Sequence, residues 1–598
     1  LTGWRDRAAG GATAPRVALL TALLAWLAVA VWLYGGLFMD DAWIGLRAVA
    51  NLLAGRGLVF NPGERVEGVT NTGWLLLLAP AARLSSPPFA AKLLGVTCLG
   101  LALFFLYRAA LPLARRLGPA WPPFTVLPLG LVLLAAANAD LVSFSLLGME
   151  TGALAAVLTA MLWIATRERG WAALPFLGAF AFLLHPEAVL VYPAAAALAL
   201  ADRVPGSRRL LRGQVIHAAL LGGITLARWR YYRALLPNTW GAKPPTARAA
   251  LGTLLGFLDG SAVNLAFPFA GLFALSLLVL GYLALRRTAP LAAAAAGGIV
   301  GTGLLFALYA RPDWTELGRY FAPYVPAALL LAGVGALDVE RAVLTRGRHG
   351  GALRLWSLAL AGVALVALLL GGAFAVNWAD LSRWTAPAAL ALAWGVALEA
   401  EYAGDFRGIR GLGEGRFRRG LAPLAVAACV AFYGATATVA RTTEGERLAY
   451  PGYILTSATL IPPALWMQAH LPPGTVIASR RIGALAYFSG HPVFDYSFGL
   501  TEPEVARLIH RRGGPFDDPN DPALAALWQR RAPAYLLEEA DLVNRLGGLG
   551  AMTSGGRGEL HVHGLVYRVI RRFPIARGVE WVLAGRATSA SAVPGPRR

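Results

Sequence analysis

The chain has 598 residues, 57% hydrophobic and only 15% charged, a balance that excludes an ordinary soluble enzyme and leaves room for many membrane spans plus a separate domain. The net charge of +21 comes from arginines clustered between apolar runs. They do not line one basic face, so the charge reads as topology and contact with anionic headgroups, with no nucleic-acid partner.

The first apolar run, 17–38, is longer than a signal-peptide core and lacks a small-residue cleavage site, which predicts a retained span. The chain opens on Leu1, not Met, which points to a trimmed start. Further runs centre near 88–108, 122–140, 149–166, 171–185, 187–201, 214–235, 267–286, 290–310, 320–338, 354–376, 385–400 and 420–440. That makes about thirteen at the ~20-residue criterion, several of them short. The arginine-rich stretches at 108–116, 167–169, 203–212, 286–287, 341–348 and 407–419 are assigned to the inside. The run at 73–84 rises only ~18 Å as a helix and is not expected to cross. The N-terminus is then inside, and 39–87, 236–266, 311–319, 376–384 and everything after about Thr442 are outside. Cys98 and Cys429 both lie in apolar runs, and no disulfide is expected.

Beyond Thr442 the stretches "VIAS", "GALAYF", "PAYLLEE" and "GLVYRVIRR" alternate with turn signals and a helical stretch near 502–512. The expected organisation is a polytopic α-helical membrane module over 1–440, an extracytoplasmic α/β domain over 441–587 and a disordered tail over 588–598.

The most informative stretch is "FMDDAWIGLRAVANLLAGRGLVFNPGERVEGVTN", from Phe38. The first span runs outward, so its end presents unpaired carbonyls with partial negative charge, where carboxylates are disfavoured by ~0.3–1 kcal/mol each. Two adjacent acids there, Asp40 and Asp41, need a reason. Asp41 is placed to N-cap an interfacial helix with Leu46, Val49, Ala50 and Leu53 on one face, Arg47 and Asn51 on another, and Gly55 at its end. Capping does not account for Asp40. A carboxylate beside a second one and partly shielded from water suits a general base. Asn61, Glu64, Glu67 and Asn71 return polar groups to the interface, in a loop longer than a passive link needs.

Near the outer end of the seventh run, "RWRYYRALLPNTWGAKPP" breaks the positive-inside pattern with Arg228, Arg230, Arg233 and Lys243, which suggests an anion. Of 54 basic residues only Lys92 and Lys243 are lysines, so a compact ammonium is wanted at Lys243. Arg319 is the next cation able to reach a phosphate at membrane level, or else it snorkels. Glu150 stands at the outer N-terminus of a helix, where the dipole alone would welcome it. His185 and Glu187 flank Pro186 and read as a turn with a satisfied histidine, or as substrate contacts. His561 and His563 would share one side of a strand, but two histidines make no metal site.

The motifs "MDDAWI", "GRGLVFNPGERVEGVTN", "LLGMETGAL", "HPEAVLV", "LLPNTWGAK" and "GRYFAPYVP" resemble, in that order, the bacterial GT-C glycosyltransferases that use polyprenyl-phosphate sugars. The closest resemblance is to the terminal β-(1→2)-arabinofuranosyltransferases of mycobacterial and corynebacterial cell walls. The stretch "LPPGTVIASRRIGALAYFSGHPVFDYSFGLTEPEVARL" also resembles the extracytoplasmic domain of those enzymes. The resemblance implies a GT-C fold, with Asp40 and Asp41 as the catalytic pair. Asn238 and Tyr320, inside two of the motifs, join the substrate-binding candidates. Trp43 stands where the family usually has Tyr, and "RRIGA" replaces a more usual acidic residue before the Gly, which puts a role for that loop in doubt.

The expected activity is inverting transfer of a pentose or hexose, arabinofuranose first, from a polyprenyl-phosphate donor to a cell-wall or lipid-linked glycan outside a bacterial plasma membrane. Asp40 would take the acceptor proton while Lys243 and the outer arginines meet the phosphate. The chain is expected to act as a monomer. No cofactor is required by this reading; a divalent cation bridging carboxylates and phosphate would be compatible, but adjacent aspartates alone do not establish one. A transporter of a lipid-linked or anionic solute, or a non-catalytic polysaccharide-binding protein, are the rivals. Against transport, there are no paired halves with interrupted helices and few acids in mid-span.

Overall fold

The computed structural model describes scattered positions between 21 and 34, then 35–117, 123–167, 169–242, 270–309, 318–345, 458–547, 559–576 and 579–587. Lys243, Cys429, the runs at 354–376, 385–400 and 420–440, and the tail 588–598 lie outside the described residues.

Most of the expected runs within the described residues are helical, but fewer meet the length and apolarity of a span. Pro87–Ala114, Arg208–Tyr232 and Pro290–Tyr309 qualify, and a bent pair, Pro128–Ala136 with Asp140–Leu146, makes a fourth at a 60° break. The break has a local cause: the Asn138 side chain accepts from Leu141 N–H at 2.8 Å and starts a new helix. Thr151–Arg167, Trp171–Leu184 and Pro186–Ala201 are apolar but shorter than a full crossing. Pro186 separates the last two, since it offers no N–H and disfavours helical backbone at His185, which is extended.

Small residues let these helices approach closely. A Cβ on Gly281 would lie 1.8 Å from Leu331 O, and one on Gly335 2.2 Å from Leu277 O, so the two helices meet backbone to backbone. Three of the arginine-biased stretches converge at one end: Arg286 pairs with Asp202 at 2.7 Å and Arg287 with Asp338 at 3.3 Å. The helix Pro290–Tyr309 leads from that end to the other, where Phe306 contacts His185 and Tyr320.

The C-terminal domain is a mixed sheet of β1 (Ile477–Ala478), β2 (Val493–Phe494), β3 (Tyr535–Glu539), β4 (Glu559–Val562), β5 (Leu565–Ala576) and β6 (Val579–Arg586), in the order β2-β1-β3-β6-β5-β4. The first three are parallel and the rest antiparallel. The expected helix near 502–512 is Pro503–Arg512, and it ends on Gly513 in the left-handed region. "GALAYF" had been grouped with the strand-like runs, yet Gly483–Ser489 is a helix. Its cap comes from the far end of the chain.

Candidate active site

The stretch from Asp40 to Arg83 is where the two parts meet. The helix Asp40–Leu53 is preceded by Met39, which makes no side-chain cap, so Asp41 is not the N-cap expected of it. The helix was expected to carry Leu46, Val49, Ala50 and Leu53 on one face and Arg47 and Asn51 on another. These last two are buried, Arg47 against the C-terminal domain and Asn51 against the returning loop. Arg47 donates to Gly490 O at 2.8 Å, and Asn51 donates to Val59 O and Phe60 O at 2.8 Å each, which folds the returning strand of the loop against the helix. Trp43 is buried among Phe38, Tyr487 and Phe488, an apolar plug between loop and domain.

Adjacent on the chain, Asp40 and Asp41 have different fates. Asp40 is 5% exposed. Its Oδ2 accepts from Gly483 N–H at 3.0 Å and its Oδ1 from Ala484 N–H at 2.8 Å, capping the helix Gly483–Ser489. Burial raises the proton affinity of Asp40 and these two hydrogen bonds oppose it. Both Asp40 oxygens are thus engaged by backbone donors within protein, and Asp41 is the acid of the pair that faces the other polar groups. The same contact places the "RRIGA" loop against Asp40. Its Gly allows the approach, since a Cβ on Gly483 would lie 2.0 Å from Asp40 O.

Asp41 faces the other way. Its Oδ2 meets Arg319 Nη1 at 2.8 Å, with side chains 23% and 11% exposed. Around this pair lies a cluster of polar groups drawn from four segments. His185 Nδ1 is bonded to Glu187, and its Nε2 is 3.9 Å from Glu150 Oε1. Asn71 donates to Glu150 Oε2 at 2.7 Å, and Tyr324 donates its hydroxyl proton to Glu187 Oε1 at 3.0 Å. Phe306 packs edge-on to both His185 and Tyr320. Thus Asp41, Asn71, Glu150, His185, Glu187, Arg319 and Tyr320 are brought to one place. Tyr324 was missed as a site residue, although it lies within the quoted "GRYFAPYVP".

The other candidates hold the assembly together. Asn61 pairs through its amide with both backbone groups of Val493, donating at 3.0 Å and accepting at 3.1 Å, as a strand would at the exposed edge of β2. Glu64 and Glu502 share Arg531, at 2.6 and 2.7 Å. Glu67 makes a buried ion pair with Arg228 at 2.6 Å and accepts from the Thr72 hydroxyl at 2.7 Å. Asn238 donates to Gly499 O and Leu500 O. Arg228, expected to meet a phosphate, is thus paired with Glu67. Arg230 and Arg233 are exposed, and Arg233 lies over the Trp229 ring. Among the described residues no group of three His, Cys, Asp or Glu is placed to hold a metal ion.

Residues 456–589 match the family described as "Domain of unknown function (DUF8728)". The chain is 33% identical over 232 residues to the terminal β-(1→2)-arabinofuranosyltransferase of Mycobacterium tuberculosis, and 43% identical over 72 residues to that of Corynebacterium glutamicum. These stretches span 34% and 11% of this chain, and only 34% and 10% of the relatives. The structure is similar to that of ArnT from Cupriavidus metallidurans bound to undecaprenyl phosphate, with a TM-score of 0.55 at 15% identity, over 98% of this chain and 100% of that one. The likeness expected from the motifs is thus found, and the fold is GT-C-like.

Proposed function

We propose that the chain is a GT-C glycosyltransferase that moves a pentose or hexose, arabinofuranose as the first choice, from a polyprenyl-phosphate donor to a cell-wall or lipid-linked glycan on the outer face of a bacterial plasma membrane. The observation that carries the reading is the Asp41–Arg319 pair, set among partly buried polar groups at one end of the helical module. The likeness to arabinofuranosyltransferases, and to an enzyme whose structure holds undecaprenyl phosphate, supports the sugar and donor class.

In this mechanism Asp41, ionised beside a guanidinium, accepts the acceptor hydroxyl proton as that oxygen attacks the anomeric carbon. The bond from the anomeric carbon to the phosphate oxygen breaks, and polyprenyl phosphate leaves with its charge met by Arg319. One displacement inverts the anomeric centre. Glu150, Glu187 and His185 offer hydrogen-bond acceptors and a donor to the sugar hydroxyls. Asp40 serves by fixing the C-terminal domain to the loop that carries Asp41. Purified protein given the donor should release free polyprenyl phosphate when acceptor is added; no release with any polyprenyl-phosphate pentose or hexose would remove the assignment, and uptake of intact donor into vesicles would favour a transporter.

A further inference from the structure

Lysine is rare in this chain, and the one lysine among the described residues is held in an unusual way. Lys92, near the start of Pro87–Leu117, donates to Tyr34 O at 2.8 Å, to Leu146 O at 2.6 Å and to Leu37 O, and lies 4.0 Å from the centre of the Phe38 ring. Tyr34 is the last helical position before the turn at 35–36, Leu37 follows that turn, and Leu146 ends Ala139–Leu146. Helix ends of this kind expose carbonyls with partial negative charge. One ammonium therefore caps two helices at once.

The two capped segments lead directly into the site. Residues 37–41 run from Leu37 to Asp41, and residues 146–150 run from Leu146 to Glu150. They are joined elsewhere as well. Met39 N–H donates to Leu147 O at 3.2 Å, and Gly148, at φ +90°, leaves no room for a Cβ against Phe38. Trp74 Nε1 donates to Gly148 O at 3.0 Å from the third side. The arrangement suits an ammonium, whose three protons diverge from a compact centre, better than a planar guanidinium.

We infer that Lys92 is a positioning residue for the proposed transfer, one that sets Asp41 and Glu150 in register by clamping the segments that carry them. This rests on Asp41 being the base, and the test separates the two ideas. Full-length Lys92→Met and Lys92→Arg proteins are purified in lipid nanodiscs beside Asp41→Asn, and kcat and donor KM are measured per folded molecule with folded fraction scored by size exclusion and melting. Lys92→Met is expected to lose at least about tenfold in kcat with donor KM within about threefold, as displacement of a reacting group by an ångström does. Lys92→Arg, which keeps the charge but not the geometry, should fall between Met and wild type. If both Lys92 variants keep kcat within twofold while Asp41→Asn is inactive, the positioning role is overturned and the base stands. Should Asp41→Asn stay active, both fall together. A variant whose activity loss equals its loss of folded protein would make Lys92 merely structural; if Lys92→Met does not fold, the Lys92→Arg kcat decides.

Discussion

Asp41 Oδ2 and Arg319 Nη1 stand 2.8 Å apart, while the neighbouring Asp40 turns into the C-terminal domain and binds Gly483 and Ala484. Two identical residues in tandem thus divide the work: one opens on the polar cluster, and the other fastens the domain that helps enclose it.

Replacing the two acids should separate these roles. Asp41→Asn is expected to lose roughly 10²–10⁴-fold in turnover, the usual contribution of a general base, with an unchanged melting temperature. Arg319→Ala should raise the donor KM at least about tenfold and lower kcat as well, because the leaving phosphate loses its cation. Steady-state assays at saturating acceptor check both. An Asp41→Asn enzyme with near-normal kcat would exclude the proposed base.

Asp40→Asn should behave in the opposite sense. The amide can still accept from one of the two N–H groups but turns its own N–H₂ toward the other, so a charge-assisted cap is lost at a cost of about 1.5–3 kcal/mol. The expected result is a lower melting temperature and faster proteolysis of the C-terminal domain, with kcat per folded molecule close to wild type. Loss of turnover in fully folded Asp40→Asn protein would return the base to Asp40.

How much of this could be read from the chain differs by residue. Asp41, Glu150, His185, Glu187 and Arg319 all come from quoted motifs, and they do meet. Pro186 marked the break that places His185, because proline's effect on its neighbour is local. The role of Asp40 was not legible, since its partners are 443 and 444 residues away and are backbone N–H groups, which every residue has. For the same reason "GALAYF" carries no sign that it is a helix. The charged residues of the first loop looked like substrate ligands because a sequence does not show which charges neutralise one another; Glu64 and Glu67 prove to face Arg531 and Arg228. The rarity of lysine pointed to Lys243, which lies outside the described residues; Lys92, the other lysine, is held by three carbonyls.

The interface should also respond to pH. Burial pushes Glu502 up to about 7, offset in part by Arg531, and Asp495 up to about 6, offset by backbone N–H groups of 498–501. Between their ordinary values and these raised ones the folded state holds more protons than the unfolded chain, so this contribution to stability is complete below about pH 4 and lost as pH rises through 6 to 7. Buried Asp40, Glu67 and Glu538, also raised by burial, act in the same direction. The melting temperature of the full chain should therefore rise on going from pH 7.5 to 5.5, and Glu502→Gln should flatten that slope. A melting temperature that falls over the same interval would contradict the buried placement of these acids.

The pair Glu67–Arg228 offers a test between support and substrate binding at a site where the sequence suggested a phosphate ligand. Its charges lie 2.6 Å apart with side chains only 2% and 6% exposed. Removing one partner of such a pair strands the other charge away from water and costs about 3–5 kcal/mol, whereas removing both with similar volume is far milder. Arg228→Met should thus destabilise the protein severely, and Glu67→Gln with Arg228→Met should recover much of the loss in a double-mutant cycle read by thermal unfolding. If Arg228 instead served the donor phosphate, Arg228→Met would stay stable and lose donor affinity, and the second substitution would restore nothing. The two outcomes differ in sign on both axes, because the Glu67 carboxylate is either the charge that Arg228 compensates or a bystander.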